Sequence, residues 1–423
     1  MRDSVRLLLD KQIKYPGIIY LMGLAIVLVY AFTTNYIEVG DTAREYYIYS
    51  FLAQGGDWQT LFGKAQGIYS LQRVCLSTTA IPAYLQRLFG FDMLLFFKLY
   101  TCFFISFLPV AVYFIAKKFI RNTYAFLVAV FFMGQVCFIH APSMARSNVA
   151  LLFFALALLV ILKLDISKRV RYSVIFVLAG GMVISHYSTT YISLFLFLAT
   201  GIVILLWQLF RRTQLPSKNS ILAVCLSLVI GITVWYGFIT HTPWVEAVRF
   251  VKQITLTTFS PLSSTGGSPE KNYEITKVES RDKITQVAFG VKNPDGDATF
   301  TFNWATFVFN WLVVVIMSYG LLITLVKWRK DKAVPLGYLI LSMIGYATII
   351  GVVILPWVSR AYGIERTYYQ MLVFLGIYFI FGCSDIAKRL RLKPIMIILP
   401  VLLPYLYFTY TTGIIYSITG WGQ

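Results

Sequence analysis

Residues 190–209 read TYISLFLFLATGIVILLWQL, and Phe210, Arg211 and Arg212 follow at once. Twenty residues without a charged side chain, wound as a helix, reach about 30 Å, the thickness of a bilayer's hydrocarbon core. The arginines after it mark the end that stays on the cytoplasmic side. Just upstream, a tight polar hairpin from His186 to Tyr191 joins this block to another at 173–186. Further blocks lie at 17–34, 95–116, 123–139, 147–164, 220–240, 305–326, 336–357, 367–383 and 395–417. With 58% hydrophobic and 13% charged residues gathered into blocks of this length, a soluble fold is excluded. The expected fold is an all-α polytopic membrane protein of about eleven transmembrane helices, one transmembrane domain over 1–423.

The basic residues set the orientation. They cluster on every second connection: Lys117, Lys118 and Arg121; Lys163, Lys168, Arg169 and Arg171; Arg211, Arg212 and Lys218; Lys327, Arg329, Lys330 and Lys332; Lys388, Arg389, Arg391 and Lys393. Those connections are cytoplasmic by the positive-inside rule. The N-terminus, with Arg2, Arg6, Lys11 and Lys14, is then cytoplasmic too, and the first block is a retained helix because no small-residue cleavage site follows it. By parity the C-terminus, Gly420 to Gln423, is external; the chain is either a minimal helical core or a piece of something longer.

The formal charge of +19 sits in these short tethers rather than in a basic domain, which excludes a nucleic-acid footprint and gives the inner face an attraction for anionic lipid headgroups. Of Cys75, Cys102, Cys137, Cys225 and Cys383, only Cys75 falls in an external loop, where an impermeant thiol reagent is expected to reach it. No disulfide framework, zinc spacing, internal repeat, Walker motif or dinucleotide-binding glycine motif is present, so no nucleotide cofactor is expected.

Two external connections exceed what a helix hairpin needs: 35–94 and 241–304. The first carries Asp41, Glu45 and Asp57, and its stretch from Asp41 to Ala53 reads as a short helix with Asp41 and Glu45 one turn apart. Two carboxylates so placed hold a divalent cation such as Mg or Mn, or divide the work of a general base and an orienting group; the alternative is that Asp41 is an N-cap and Glu45 a solvated face. The second connection opens on an interfacial helix around Trp244 to Ile254 and continues through a Ser/Gly-rich, mobile stretch from Ser260 to Ser268.

Three arginines stand in short external connections against the orienting rule: Arg146, Arg360 and Arg366. Arg146 and Arg366 each precede a helix entering from outside, where a cation opposes the positive end of the helix dipole but, with the free backbone N–H groups, makes a site for phosphate or pyrophosphate. The alternative is a side chain snorkelling to the headgroups. Arg360 follows a helix C-terminus, where a cation is favourable anyway. His186 with Tyr187 is either part of such a site or an interfacial pair, and Lys98 either snorkels or has an ion partner.

The chain resembles the GT-C superfamily of polyprenyl-phosphate-dependent glycosyltransferases, and within it an uncharacterised family of large archaeal and bacterial membrane proteins. The resemblance rests on Asp41 and Glu45 followed by Tyr46 and Tyr47, Gly-Asp-Trp at 56–58, Tyr-Ser-Leu at 69–71, an arginine opening the fourth helix at Arg146, His-Tyr-Ser from His186, and Arg-x-Tyr-Tyr-Gln from Arg366. Ser147 and Asn148 depart from it, standing where relatives carry Gln and Glu. The resemblance implies a GT-C-like core in the cell membrane that moves a sugar from a polyprenyl-phosphate donor to a saccharide, lipid or protein acceptor at the external face. Asp41 is then the base, Glu45 its assistant or fellow metal ligand, and Arg146, His186, Tyr187, Arg360 and Arg366 line the substrate site. The competing readings are a transporter or flippase of lipid-linked saccharides, and a non-catalytic assembly subunit.

Overall fold

The computed structural model describes residues 15–37, 41–60, 71–163, 165–211, 218–259, 298–331, 334–354 and 363–389. Arg360, the Ser260 to Ser268 stretch, the apolar block at 395–417 and both chain ends lie outside them. The regular structure of the described residues is all helical, with no strand: α1 Tyr15–Ala31, α2 Asp41–Ala53, α3 Ala80–Phe89, α4 Met93–Ile105, α5 Phe107–Lys117, α6 Asn122–Met133, α7 Ala145–Leu162, α8 Lys168–Val183, α9 Tyr187–Arg211, α10 Lys218–Gly231, α11 Thr242–Phe259, α12 Ala298–Asp331, α13 Leu336–Ile354 and α14 Ile364–Arg389. Seven helical stretches among them are long and apolar enough to cross a membrane: Met93–Lys117, Ala141–Leu162, Tyr187–Arg211, Lys218–Ile239, Trp311–Trp328, Leu336–Ile354 and Ile364–Arg389.

These helices bury one face and present large apolar side chains outward on the other. In α1, Ile19, Gly23 and Val27, four residues apart, face inward while Leu21 and Val29 are exposed. In a bilayer an outward apolar face meets lipid and costs nothing; inside, hydroxyls must find partners. They do so on their own helix: Thr101 donates to the Phe97 carbonyl at 2.9 Å, Thr200 to Leu196 at 2.6 Å, and Ser342 to Tyr338 at 2.8 Å.

Two apolar blocks depart from single straight spans. The block at 95–116 bends at Ser106, between α4 and α5. Pro109 has no N–H to give the Ile105 carbonyl and its ring crowds that oxygen, while the Ser106 hydroxyl bonds to the Cys102 carbonyl at 2.6 Å. The block at 123–139 breaks at Gly134 and the extended Gln135, leaving α6 with 12 residues, about 18 Å and too short to span alone. The chain then makes one helical turn at Val136–Ile139 and a 3₁₀ turn at Ala141–Met144, mostly buried, before α7. Helix α12 begins at Ala298 and α11 runs Thr242–Phe259, so both ends of the 241–304 connection are helical.

The most enclosed of the seven stretches is α14, 78% buried, which packs on α12 and α13. Close approach is made by glycine: a Cβ on Gly320 of α12 would meet the Tyr378 carbonyl oxygen, and one on Gly382 of α14 would meet the Ile316 carbonyl oxygen. Because both obstacles are backbone, no side-chain rotation relieves them. Gly320→Ala is therefore expected to force the helices apart and lower stability by roughly 1–3 kcal/mol; Gly351→Ala, where nothing lies within 4 Å, is the control. Equal melting temperatures for the two variants would contradict this packing.

Candidate functional site

The N-termini of α7, α9 and α14 carry Arg146, Tyr187 and Arg366, and α2 packs its acidic end against the first of them. Thr42 is the fastening: its hydroxyl donates to the Ser143 carbonyl at 2.6 Å, in the 3₁₀ turn that leads into α7. One residue earlier, Asp41 Oδ2 accepts from Arg146 Nη2 at 2.6 Å, and one turn later Glu45 Oε1 lies 3.5 Å from Arg146 Nε. The oxygens of Asp41 are taken up by Arg146, by Gln72 Nε2 at 3.1 Å and, at 3.8 Å, by Arg44, which replaces the simple N-cap reading.

This arrangement explains an arginine at the positive end of a helix. Two carboxylates from a segment about one hundred residues away offset both the guanidinium and the helix dipole. It also changes what Arg146 does: its charge is engaged by the acid pair, so it positions Asp41 rather than waiting as an open anion ligand. A divalent cation between the carboxylates would contest the space the guanidinium holds. Among the described residues no group of three or more His, Cys, Asp or Glu side chains comes together, and the space between the two carboxylates is filled by the Arg146 guanidinium.

Glu45 is fully enclosed, its carboxylate facing only the Arg146 guanidinium and the Thr78 hydroxyl; Arg146, 5% exposed, has an unpartnered Nη1. Burial pushes the Glu45 carboxyl up to about 7, against the pull of Arg146 and the Thr78 hydroxyl. The solvated-face alternative for Glu45 is thereby overturned. His186 is also buried, not interfacial: it lies in the three-residue connection between α8 and α9, and burial first, then Arg146 and Arg366, hold its pKa well below the ordinary 6.5. Its Nδ1 faces the Thr189 hydroxyl at 2.8 Å and the Thr189 N–H at 3.4 Å, so Nδ1 is an acceptor and the ring proton belongs on Nε2.

Arg366 stands near enough for its charge to act on both Glu45 and His186, and it makes no ion pair with a described residue. Gln370, one turn further along α14, ties that helix to α9 through Ser193 Oγ at 3.1 Å. Lys98 is buried beside this end, its Nζ donating to the Thr34 carbonyl at 2.7 Å over the Phe32 ring. It lines a water-sized cavity of about 40 Å³ with Tyr30, Thr42 and Ser143.

Sequence reasoning missed Gln72 and what holds it. A π-helical turn, Ile232–Ile239, continues α10 and swings Trp235 so that its Nε1 donates to the Val74 carbonyl at 3.1 Å. Trp58 donates to the Arg73 carbonyl at 3.2 Å and stacks on Trp235, the ring centroids 5.8 Å apart. Two indoles thus clamp the segment that brings Gln72 to Asp41. Cys75 in the same segment is 1% exposed, and burial pushes its thiol up to about 12, so the expectation that it labels from outside is overturned. Ser147 and Asn148 turn back to the Met144 carbonyl at 2.9 and 3.1 Å and add nothing to the acid pair.

Glu45 and His186 pull stability in opposite directions with pH. The folded chain binds the Glu45 proton more tightly than the unfolded chain, so this contribution is lost as pH rises from about 4.5 to about 7. The fold refuses the proton that an unfolded histidine takes below 6.5, so the His186 contribution is lost as pH falls. Between about pH 5 and 6.5 the two slopes offset each other. Glu45→Gln removes one of them, and its melting temperature is expected to rise with pH more steeply than the parent's; parallel profiles would contradict the assignment.

No protein-family model matches the chain, and no curated protein matches it. The functional reading therefore rests on the residues and their geometry.

Proposed function

We propose that the chain is a GT-C-type glycosyltransferase of the cell membrane, transferring a sugar from a polyprenyl-phosphate donor to an acceptor hydroxyl at the external face. The observation that carries this reading is the convergence at one end of the bundle of an Arg146-held acid pair, Asp41 open and Glu45 enclosed, with Arg366 and a neutral His186. Asp41, partly exposed, takes the proton of the acceptor hydroxyl. The acceptor oxygen bonds to the anomeric carbon, the bond from that carbon to the phosphate oxygen breaks, and its electron pair leaves with the lipid phosphate. Arg366 at the start of α14 offsets the charge that grows there. Arg146 and Gln72 fix the direction of Asp41, and Glu45, enclosed behind them, keeps Arg146 in place.

The same reading keeps about eleven spans, with the N-terminus cytoplasmic, the C-terminus external and the site opening outward. Labelling tests the orientation. An engineered cysteine at exposed Asp57 is expected to react with an impermeant thiol reagent in intact cells, and one at exposed Lys168 is not; the reverse would invert the map. Transfer itself is tested by incubating purified protein with a labelled polyprenyl-phosphate sugar: the reading requires that label leave the lipid, and a donor that stays intact would overturn it.

A further inference from the structure

At the end of the bundle away from the acid pair, the end of α5, the linker to α6 and the last turns of α14 border an open pocket of about 580 Å³. Among the described residues four cations line it: Lys117 at the end of α5, Lys118 and Arg121 from the linker, and Lys388 from α14. Among the described residues no carboxylate does. Asp385, the acid on that stretch of α14, is occupied elsewhere, by Lys327 at 2.8 Å, Arg389 at 2.7 Å and the Tyr319 hydroxyl at 2.9 Å. The remaining walls are apolar and aromatic, among them Phe119, Tyr124 and Phe381, with the Ser384 hydroxyl as a further donor.

Orientation requires only that positive charge lie on this side of the membrane. It does not require cations from two distant segments to surround one concavity, nor that the cavity have an apolar wall. We propose that this cavity seats an anionic phospholipid, its phosphate among Lys118, Arg121 and Lys388 and its glycerol and first acyl methylenes against Phe119, Tyr124 and Phe381. Basic pockets between transmembrane helices suit such headgroups, and the wall selects an amphiphile over a free anion. The Nζ of Lys117 sits over the Tyr113 ring at 5.7 Å.

The test is native mass spectrometry of the full chain in detergent, titrated with phosphatidylglycerol or with phosphatidylcholine of the same acyl chains. The triple variant Lys118→Gln, Arg121→Gln, Lys388→Gln is set beside a control that loses equal charge from another exposed basic cluster, Lys163→Gln, Lys168→Gln, Arg169→Gln. Removing three cations at roughly tenfold or less each is expected to weaken phosphatidylglycerol retention on the order of 10²-fold. The control and the parent should retain it alike, and inorganic phosphate should not displace it. Equal loss in the control, equal retention of phosphatidylcholine, or displacement by inorganic phosphate would each overturn the proposal. Binding in detergent depends on neither sidedness nor sugar transfer, so its failure leaves the proposed function standing, and the reverse.

Discussion

Arg146→Met is expected to destabilise the protein by roughly 3–5 kcal/mol, the cost of leaving charge unpartnered in an enclosed site. Methionine fills much of the space of the arginine stem, so the loss is electrostatic rather than a cavity. Asp41 is partly exposed and can turn to water; Glu45 cannot, being fully enclosed with only the Thr78 hydroxyl left beside it. Its one escape is to take up a proton, which costs little because the carboxyl is already raised to about 7. The destabilisation should therefore be smaller near pH 5 and larger near pH 8. Adding Glu45→Gln to Arg146→Met removes the orphaned charge and is expected to recover part of the loss, a coupling of about 0.5–3 kcal/mol. Thermal melting of the four proteins at the two pH values decides it. A single variant that melts with the parent, or a loss that ignores pH, would remove the ion pair from its place at the centre of the site.

The second large effect is on turnover. Asp41→Asn keeps the Gln72 hydrogen bond to Oδ1 but sets an amide N–H₂ against the Arg146 guanidinium, donor facing donor. The cost in stability is about 1–3 kcal/mol at most, since this side chain is open to water and Arg146 retains Glu45. Loss of the proton acceptor is expected to lower turnover by roughly 10² to 10⁴. If Asp41 acts only in the transition state, kcat falls and the KM for the lipid donor holds. Arg366→Lys should do the opposite, weakening donor binding by losing the bidentate fork while leaving the acid pair intact.

The helices were legible because hydropathy and basic-residue bias are written along the chain, one block at a time. The short helix from Asp41 to Ala53 was legible too, from its spacing. What the sequence did not display was the partnership of Arg146 with Asp41 and Glu45: nothing in the local pattern around either links residues 105 apart. Read alone, Arg146 looked like an open phosphate ligand and the acids like a metal pair, and each assignment weakens once the other residue fills the space. Gln72 carried no signal, since its role comes from a π-helical turn and two indoles on distant segments. The burial of His186 and Cys75 follows from packing that no periodicity reports. The breaks at Ser106 and Gly134 have local causes, Pro109 and the glycine itself, which a reading of apolar blocks passes over.

The most direct test is transfer by purified protein in proteoliposomes, given a panel of polyprenyl-phosphate hexoses labelled in the sugar and an extract of saccharides and polar lipids as acceptor. Expected is release of label from the lipid carrier by the parent protein, with transfer lowered on the order of 10² or more in Asp41→Asn at equal folded protein. A donor that stays intact with the parent, that crosses the bilayer without losing its sugar, or that is cleaved equally well by Asp41→Asn would contradict it.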